Sequence, residues 1–215
     1  MYRLIHTLAL LCALVVPSLA LATAQIPDVL LIDGKEHALN TNPLDAHLQA
    51  KGWTPPKEGL ISSANWRGYV ARWAVADGQL LLKDVTIMVE AKDEEMARKS
   101  ILADLFPGKT QIVADWYTGA LIVPDGKMIH YVHMGYGSTY DHYQVLRVSS
   151  GRVIEQLSMS GEEFKQYRAR KFEAFKQTDE FKKAYAELKR DSQSLSEEQM
   201  LGFMASFFAE RYLAL

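Results

Sequence analysis

Three features of this 215-residue chain predict an α+β fold, a mostly antiparallel sheet of hairpins and a meander followed by C-terminal helices. Asp-Gly and Ser-Gly dipeptides separate short apolar, β-branched runs between residues 29 and 157, the pattern of strands joined by tight turns. After Ser160 the apolar spacing changes from a period of two to about 3.6, the period of helices. The four tryptophans, Trp53, Trp66, Trp73 and Trp116, all fall in the β-rich part, where they are expected to form one aromatic core.

The elements follow in order. Residues 29–32 and 36–39 flank Asp33-Gly34, which readily takes the positive φ angles of a two-residue hairpin turn. Asn42-Pro43 reads as an N-cap followed by proline at the first helical position, opening a short helix through Leu44 and Leu48 that Gly52 ends. A Pro- and Gly-containing loop leads to a hairpin over 66–89 turning at Asp77-Gly78, with Tyr69, Ala71, Trp73 and Val75 on one face. Residues 93–105 read as a helix with acids in its first turn, stopped by Pro107-Gly108. Strands are predicted at 111–117, 119–123, 128–134, 143–148 and 152–157, with turns at Asp125-Gly126 and Ser150-Gly151. Ser160 with Glu163 forms a capping-box signature. Thr178 precedes a second helix, and Ser196 caps a last one whose Met200, Phe203, Met204, Phe207 and Phe208 make an apolar stripe expected to dock on the sheet.

Residues 1–24 have the character of an export signal: Arg3, an apolar run over 8–16, a Pro17-Ser18 break and the small-x-small Ala22-Thr23-Ala24. The run is shorter than the roughly 20 apolar residues a membrane span needs, so a soluble periplasmic protein beginning at Gln25 is expected. Cys12, the only cysteine, leaves with the signal and takes disulfides, thiolate catalysis and Cys-ligated metals with it. The expected organisation is a signal peptide over 1–24, a β-rich domain with two short helices over 25–159, and a helical segment over 160–215 packing on it. The chain has 24 Lys plus Arg against 26 Asp plus Glu, and its basic C-terminal residues alternate with acids, so no nucleic-acid-binding stripe forms.

Reactive side chains concentrate between His130 and Tyr143. If the strand at 128–134 pairs with that at 143–148, one register brings His133 near His142. With Asp141 these two would be candidate metal ligands, although His130 and His133, three apart on a strand, point to opposite faces. Ser138 with a histidine base, His133 or His142, and Asp141 gives a candidate hydrolase set. It lacks the second glycine of a G-x-S-x-G elbow and is followed by a strand instead of a helix. The third reading is a recognition loop in which Gly135 and Gly137 present Tyr136 and Tyr140 to a partner. Trp66 and Arg67 are further binding candidates, with packing the favoured role for a tryptophan at a strand start.

The segments Asn42-Pro43-Leu44, Trp66-Arg67-Gly68-Tyr69-Val70-Ala71-Arg72-Trp73 and His133-Met134-Gly135-Tyr136-Gly137-Ser138-Thr139-Tyr140-Asp141 resemble a group of uncharacterised exported or envelope-associated bacterial proteins. The resemblance implies a periplasmic setting and one β-rich domain, and it carries no catalytic assignment. The residues point to a non-catalytic binding, inhibitor or immunity-type protein with a protein partner in the cell envelope, no cofactor and no nucleic acid. The alternative is an envelope hydrolase built on His133, His142 and Asp141 with a divalent metal, or on Ser138 with a histidine.

Overall fold

The computed structural model describes residues 23–91, 95–192 and 194–215, so the predicted leader falls almost wholly outside the described residues. Among the described residues nine strands form one mixed sheet: β1 (Asp28–Ile32), β2 (Lys35–Leu39), β3 (Val70–Ala76), β4 (Gln79–Glu90), β5 (Met96–Ser100), β6 (Ile112–Val113), β7 (Gly119–His130), β8 (Thr139–Ser149) and β9 (Arg152–Ser160). The helices are α1 (Asp45–Ala50), α2 (Leu102–Leu105), α3 (Gly161–Phe175), α4 (Asp179–Asp191), α5 (Glu197–Phe207) and α6 (Ala209–Tyr212). The predicted α+β architecture is the observed one.

The strand order is β2-β1-β3-β4-β9-β8-β7, antiparallel except for β1 against β3, and β5 and β6 share the outer edge of β4 with β9. The two ends of this order meet where the Asn40 N–H donates to the Ile122 carbonyl at 2.8 Å. Hairpin turns sit at the predicted Asp33-Gly34, Asp77-Gly78 and Ser150-Gly151, where both residues of each pair take positive φ.

β7 and β8 separate two cores. Leu121, Val123, Leu146 and Val148 belong to one, with Leu30, Trp73 and Leu80; the alternate residues Ala120, Ile122, Tyr143 and Val145 belong to the other, with Phe164, Phe175, Met204 and Tyr212. Burial on both faces explains why these strands are apolar runs instead of alternating ones. The second core is covered by α3, α5 and α6. Ser160 and Glu163 form the predicted capping box, and Thr178 and Ser196 cap α4 and α5. Among the described residues no helix is long and apolar enough to cross a membrane.

Four local expectations are corrected. Of the predicted helix over 93–105, residues 93 and 94 lie outside the described residues and the rest is not one helix: Met96–Ser100 pairs along β4 from Thr86↔Ser100 to Glu90↔Met96, and Leu102–Leu105 is helical. The open edge of β4 supplies backbone partners there that outweigh the helical periodicity, and Met96 is solvent-exposed. Asp125-Gly126 does not reverse the chain; the register shifts between Asp125 and Met128 within β7, a bulge that lets the strand run on to His130. Asn42 is no helix cap: Leu44 holds that position without a side-chain bond. The stripe on α5 divides, Met200 and Met204 being buried while Phe203 and Phe207 face out.

Candidate functional site

The bulge decides the fate of the predicted histidine pair. Because β7 continues, Asp125 lies opposite His142 and His130 opposite Thr139, which leaves His133 in the loop beyond the strands. His133 Nδ1 is bonded to the Tyr131 hydroxyl at 2.7 Å, while His142 Nδ1 lies 3.3 Å from Asp141 Oδ1. Asp141 also accepts from the Lys127 N–H, which leads in holding its carboxyl below the ordinary range. The Ser138 hydroxyl accepts from the Val132 N–H at 3.0 Å and faces the Val132 carbonyl at 3.4 Å, closing the loop on itself. The register that placed His133 beside His142 is therefore corrected. Among the described residues no three His, Cys, Asp or Glu side chains converge as a metal-binding group.

A different set of residues does converge. β1 begins at Asp28, which is fully buried and accepts from Arg67 Nη1, the Ala71 N–H and Trp73 Nε1, each at 3.0 Å. Arg67 reaches it because Gly68 adopts φ +76°; a Cβ there would come within 2.5 Å of Pro55 Cγ, so the turn into β3 requires glycine. The same guanidinium donates to Asn42 Oδ1 at 2.7 Å and to the Ile26 carbonyl at 2.8 Å, and it lies 5.0 Å from the Tyr69 ring centre. Asn42 is the hub: Oδ1 also accepts from the Tyr136 hydroxyl at 2.9 Å, and its backbone N–H faces the Glu210 carboxyl. Tyr69 donates its hydroxyl to Asp45 Oδ1.

Burial sets the electrostatics. It works against the Arg67 charge, but Asp28, with Tyr136, Tyr69 and Asp45 adding to it, more than offsets the penalty, so the guanidinium stays protonated. It lifts the Asp28 carboxyl, against Arg67 and the Trp73 and Ala71 donors. Burial also raises Asp45 and the Tyr69 and Tyr136 hydroxyls. Glu210 is pushed up to about 7 by burial first and by Asp45 second, with Arg211 and the Asn42 N–H pulling the other way. A folded-state value above the unfolded one means the native state binds the proton more tightly, so Glu210 weakens the fold as pH rises from the ordinary carboxylate range through neutrality. Glu210→Gln is therefore expected to be more stable than the parent at pH 8, by up to about 3 kcal/mol, with the gap closing near pH 4.5. Urea unfolding at the two pH values checks this, and a gap independent of pH would count against a buried Glu210.

Asn42, Asp45, Arg67, Tyr136 and Glu210 line a cleft of about 1580 Å³ between the sheet and the helical layer, with Asp28 and Tyr69 behind them. Phe164, Phe172 and Arg168 of α3 form one wall, and the 134–138 loop with Thr139 and Tyr140 of β8 forms another. Arg168 is held by the Tyr212 hydroxyl at 3.1 Å and the Ala205 carbonyl at 2.9 Å. Around the mouth stand Ile129, Trp66, Phe207 and Met134, 66%, 60%, 57% and 54% exposed. Trp66 thus does not pack into the core as expected, whereas Trp73 does and Trp53 and Trp116 lie against it. Of the predicted binding residues, Arg67 and Tyr136 meet on Asn42, Tyr140 lines the cleft with its ring 6.0 Å from Tyr143, and Trp66 guards the entrance. Asp28, Asn42, Asp45 and Glu210 were not foreseen. Asp28 and Glu210 carry the one available hint, a charge inside an apolar run. No family model, curated protein or solved structure matches this chain.

Proposed function

We propose that this is an exported, periplasmic binding protein of the inhibitor or immunity type, without catalytic activity, and that a protein partner of the cell envelope seats in the cleft. The observation that carries the reading is the ring of four large apolar side chains, each more than half exposed, around a floor of buried, hydrogen-bonded polar groups. Exposed apolar residues grouped at one opening mark an interaction site, and aromatic anchors concentrate contact energy. The volume exceeds the roughly 300–1,000 Å³ usual for small-molecule pockets, which suits an inserted segment of polypeptide. The resemblance to exported proteins and the leader-like sequence over 1–24 support the compartment. The engagement of Ser138 with Val132 and the separation of His133 from His142 favour binding over the hydrolase alternative.

Photo-cross-linking in the native host tests the proposal, with a benzophenone amino acid at position 66 and, as control, at Ile154, which is exposed outside the cleft. One discrete adduct in the periplasmic fraction from position 66 and none from position 154 is expected. Adducts from both positions alike, from neither, or only in the cytosol would refute it.

A further inference from the structure

Among the described residues, Asp45 and Glu210 are the two half-buried cleft carboxyls that form no ion pair; Glu162, which also forms none, is exposed. Arg67 is committed to Asp28, and Arg211 reaches outward to Glu180 at 3.6 Å. No other cation among the described residues forms an ion pair with either group. Two half-buried carboxyls that lack a cation are costly when empty and attractive to one brought from outside. A second observation points to a ligand at the same place. The Arg67 side chain is 2% exposed and lines the cleft, yet its Nε–H has no acceptor. Gln25 Oε1, also buried and also lining the cleft, has no donor. Buried polar atoms are nearly always paired, so a donor and an acceptor without partners in one cleft are groups that a ligand offering both can satisfy.

Resting on the binding reading above, we infer that the cleft takes a basic side chain, lysine or arginine, presented by a polypeptide, with Asp45 and Glu210 as its counter-charges. A peptide backbone beside that side chain supplies the carbonyl that Arg67 Nε–H lacks and the N–H that Gln25 Oε1 lacks. The apolar ring of Trp66, Ile129, Met134 and Phe207 excludes water around the inserted charge, which strengthens the pairing. Binding of a cation draws a proton off Glu210. The groups facing that carboxyl are Arg211 on its own helix, Asp45, the Asn42 N–H and the Tyr117 hydroxyl. Arg168 of α3 is held by Tyr212 and Ala205.

Calorimetric titration with three capped tripeptides, carrying arginine, lysine or the uncharged isostere citrulline at the centre, tests the inference. At pH 8 the arginine or lysine peptide is expected to bind at least about tenfold more tightly than the citrulline peptide. Titrations near pH 7 in buffers of different ionisation enthalpy should show proton release. Glu210→Gln, which is expected to fold at least as well as the parent, should abolish that release and weaken binding at pH 8 by at least about tenfold; Asp45→Asn should weaken it further. Equal affinity for arginine and citrulline peptides, or binding indifferent to Glu210→Gln, overturns the inference. Butylammonium binding as tightly as the peptides overturns the polypeptide assignment. A specific adduct from position 66 with no peptide preference leaves the binding reading standing without this anchor; peptide preference without an adduct does the reverse.

Discussion

Arg67→Ala is expected to destabilise the protein by about 3–5 kcal/mol, because it leaves Asp28 buried without its cation. The side chains of the pair are 2% and 0% exposed, so water cannot replace the missing guanidinium. Trp73 and Ala71 would still donate to the carboxylate, but two neutral donors do not balance a charge in this setting. The Asp28 carboxyl, already lifted by burial, would rise further, so the deficit should grow as pH increases and shrink in mild acid. Urea unfolding midpoints across that pH range read the effect. A double change, Asp28→Leu with Arg67→Met, should recover much of the loss, since well-packed apolar residues often replace a buried ion pair at little cost. A loss below about 1 kcal/mol in Arg67→Ala would mean the pair does not hold the floor of the cleft together.

Phe175→Ala should cost a similar amount, about 3–5 kcal/mol, for an unrelated reason. Phe175 ends α3 with no exposure, its ring 5.6 Å from Phe181, 6.1 Å from Tyr212 and 6.5 Å from Phe208. Its carbonyl also accepts from the Thr178 N–H and hydroxyl at the joint with α4. Three elements therefore converge on one ring, and none can fill the space it leaves without giving up contacts of its own. Phe203→Ala on α5, where the ring is 39% exposed, is the control and should change stability by less than about 1 kcal/mol. The same urea measurement applies. Equal effects for the two substitutions would show that the helical layer does not pack as a unit on the sheet, and the cleft wall would lose its footing.

What the sequence disclosed was the local chemistry. Asp33-Gly34, Asp77-Gly78 and Ser150-Gly151 turn the chain because the needed φ values are written in adjacent residues, and Ser160, Thr178 and Ser196 cap helices a few residues away. The site was hidden because its parts are far apart in the chain. Asn42 has the look of a helix cap, yet Arg67 and Tyr136, the latter 94 positions away, claim its side chain. Asp125-Gly126 has the composition of a turn, and only its pairing with β8 makes it a bulge. Trp66 and Arg67 are neighbours with opposite fates, one outside and one within, because Gly68 redirects the chain between them and β3.

The segment at Met96–Ser100 carries the features that discourage a sheet from recruiting further copies of itself. Edge strands invite other chains to extend the ladder, and the usual deterrents are shortness and charge. β5 is five residues long and bears Arg98 and Lys99; β2 is equally short and bears Lys35 and Glu36. Arg98 and Lys99 serve on β5 as gatekeepers against fibre growth.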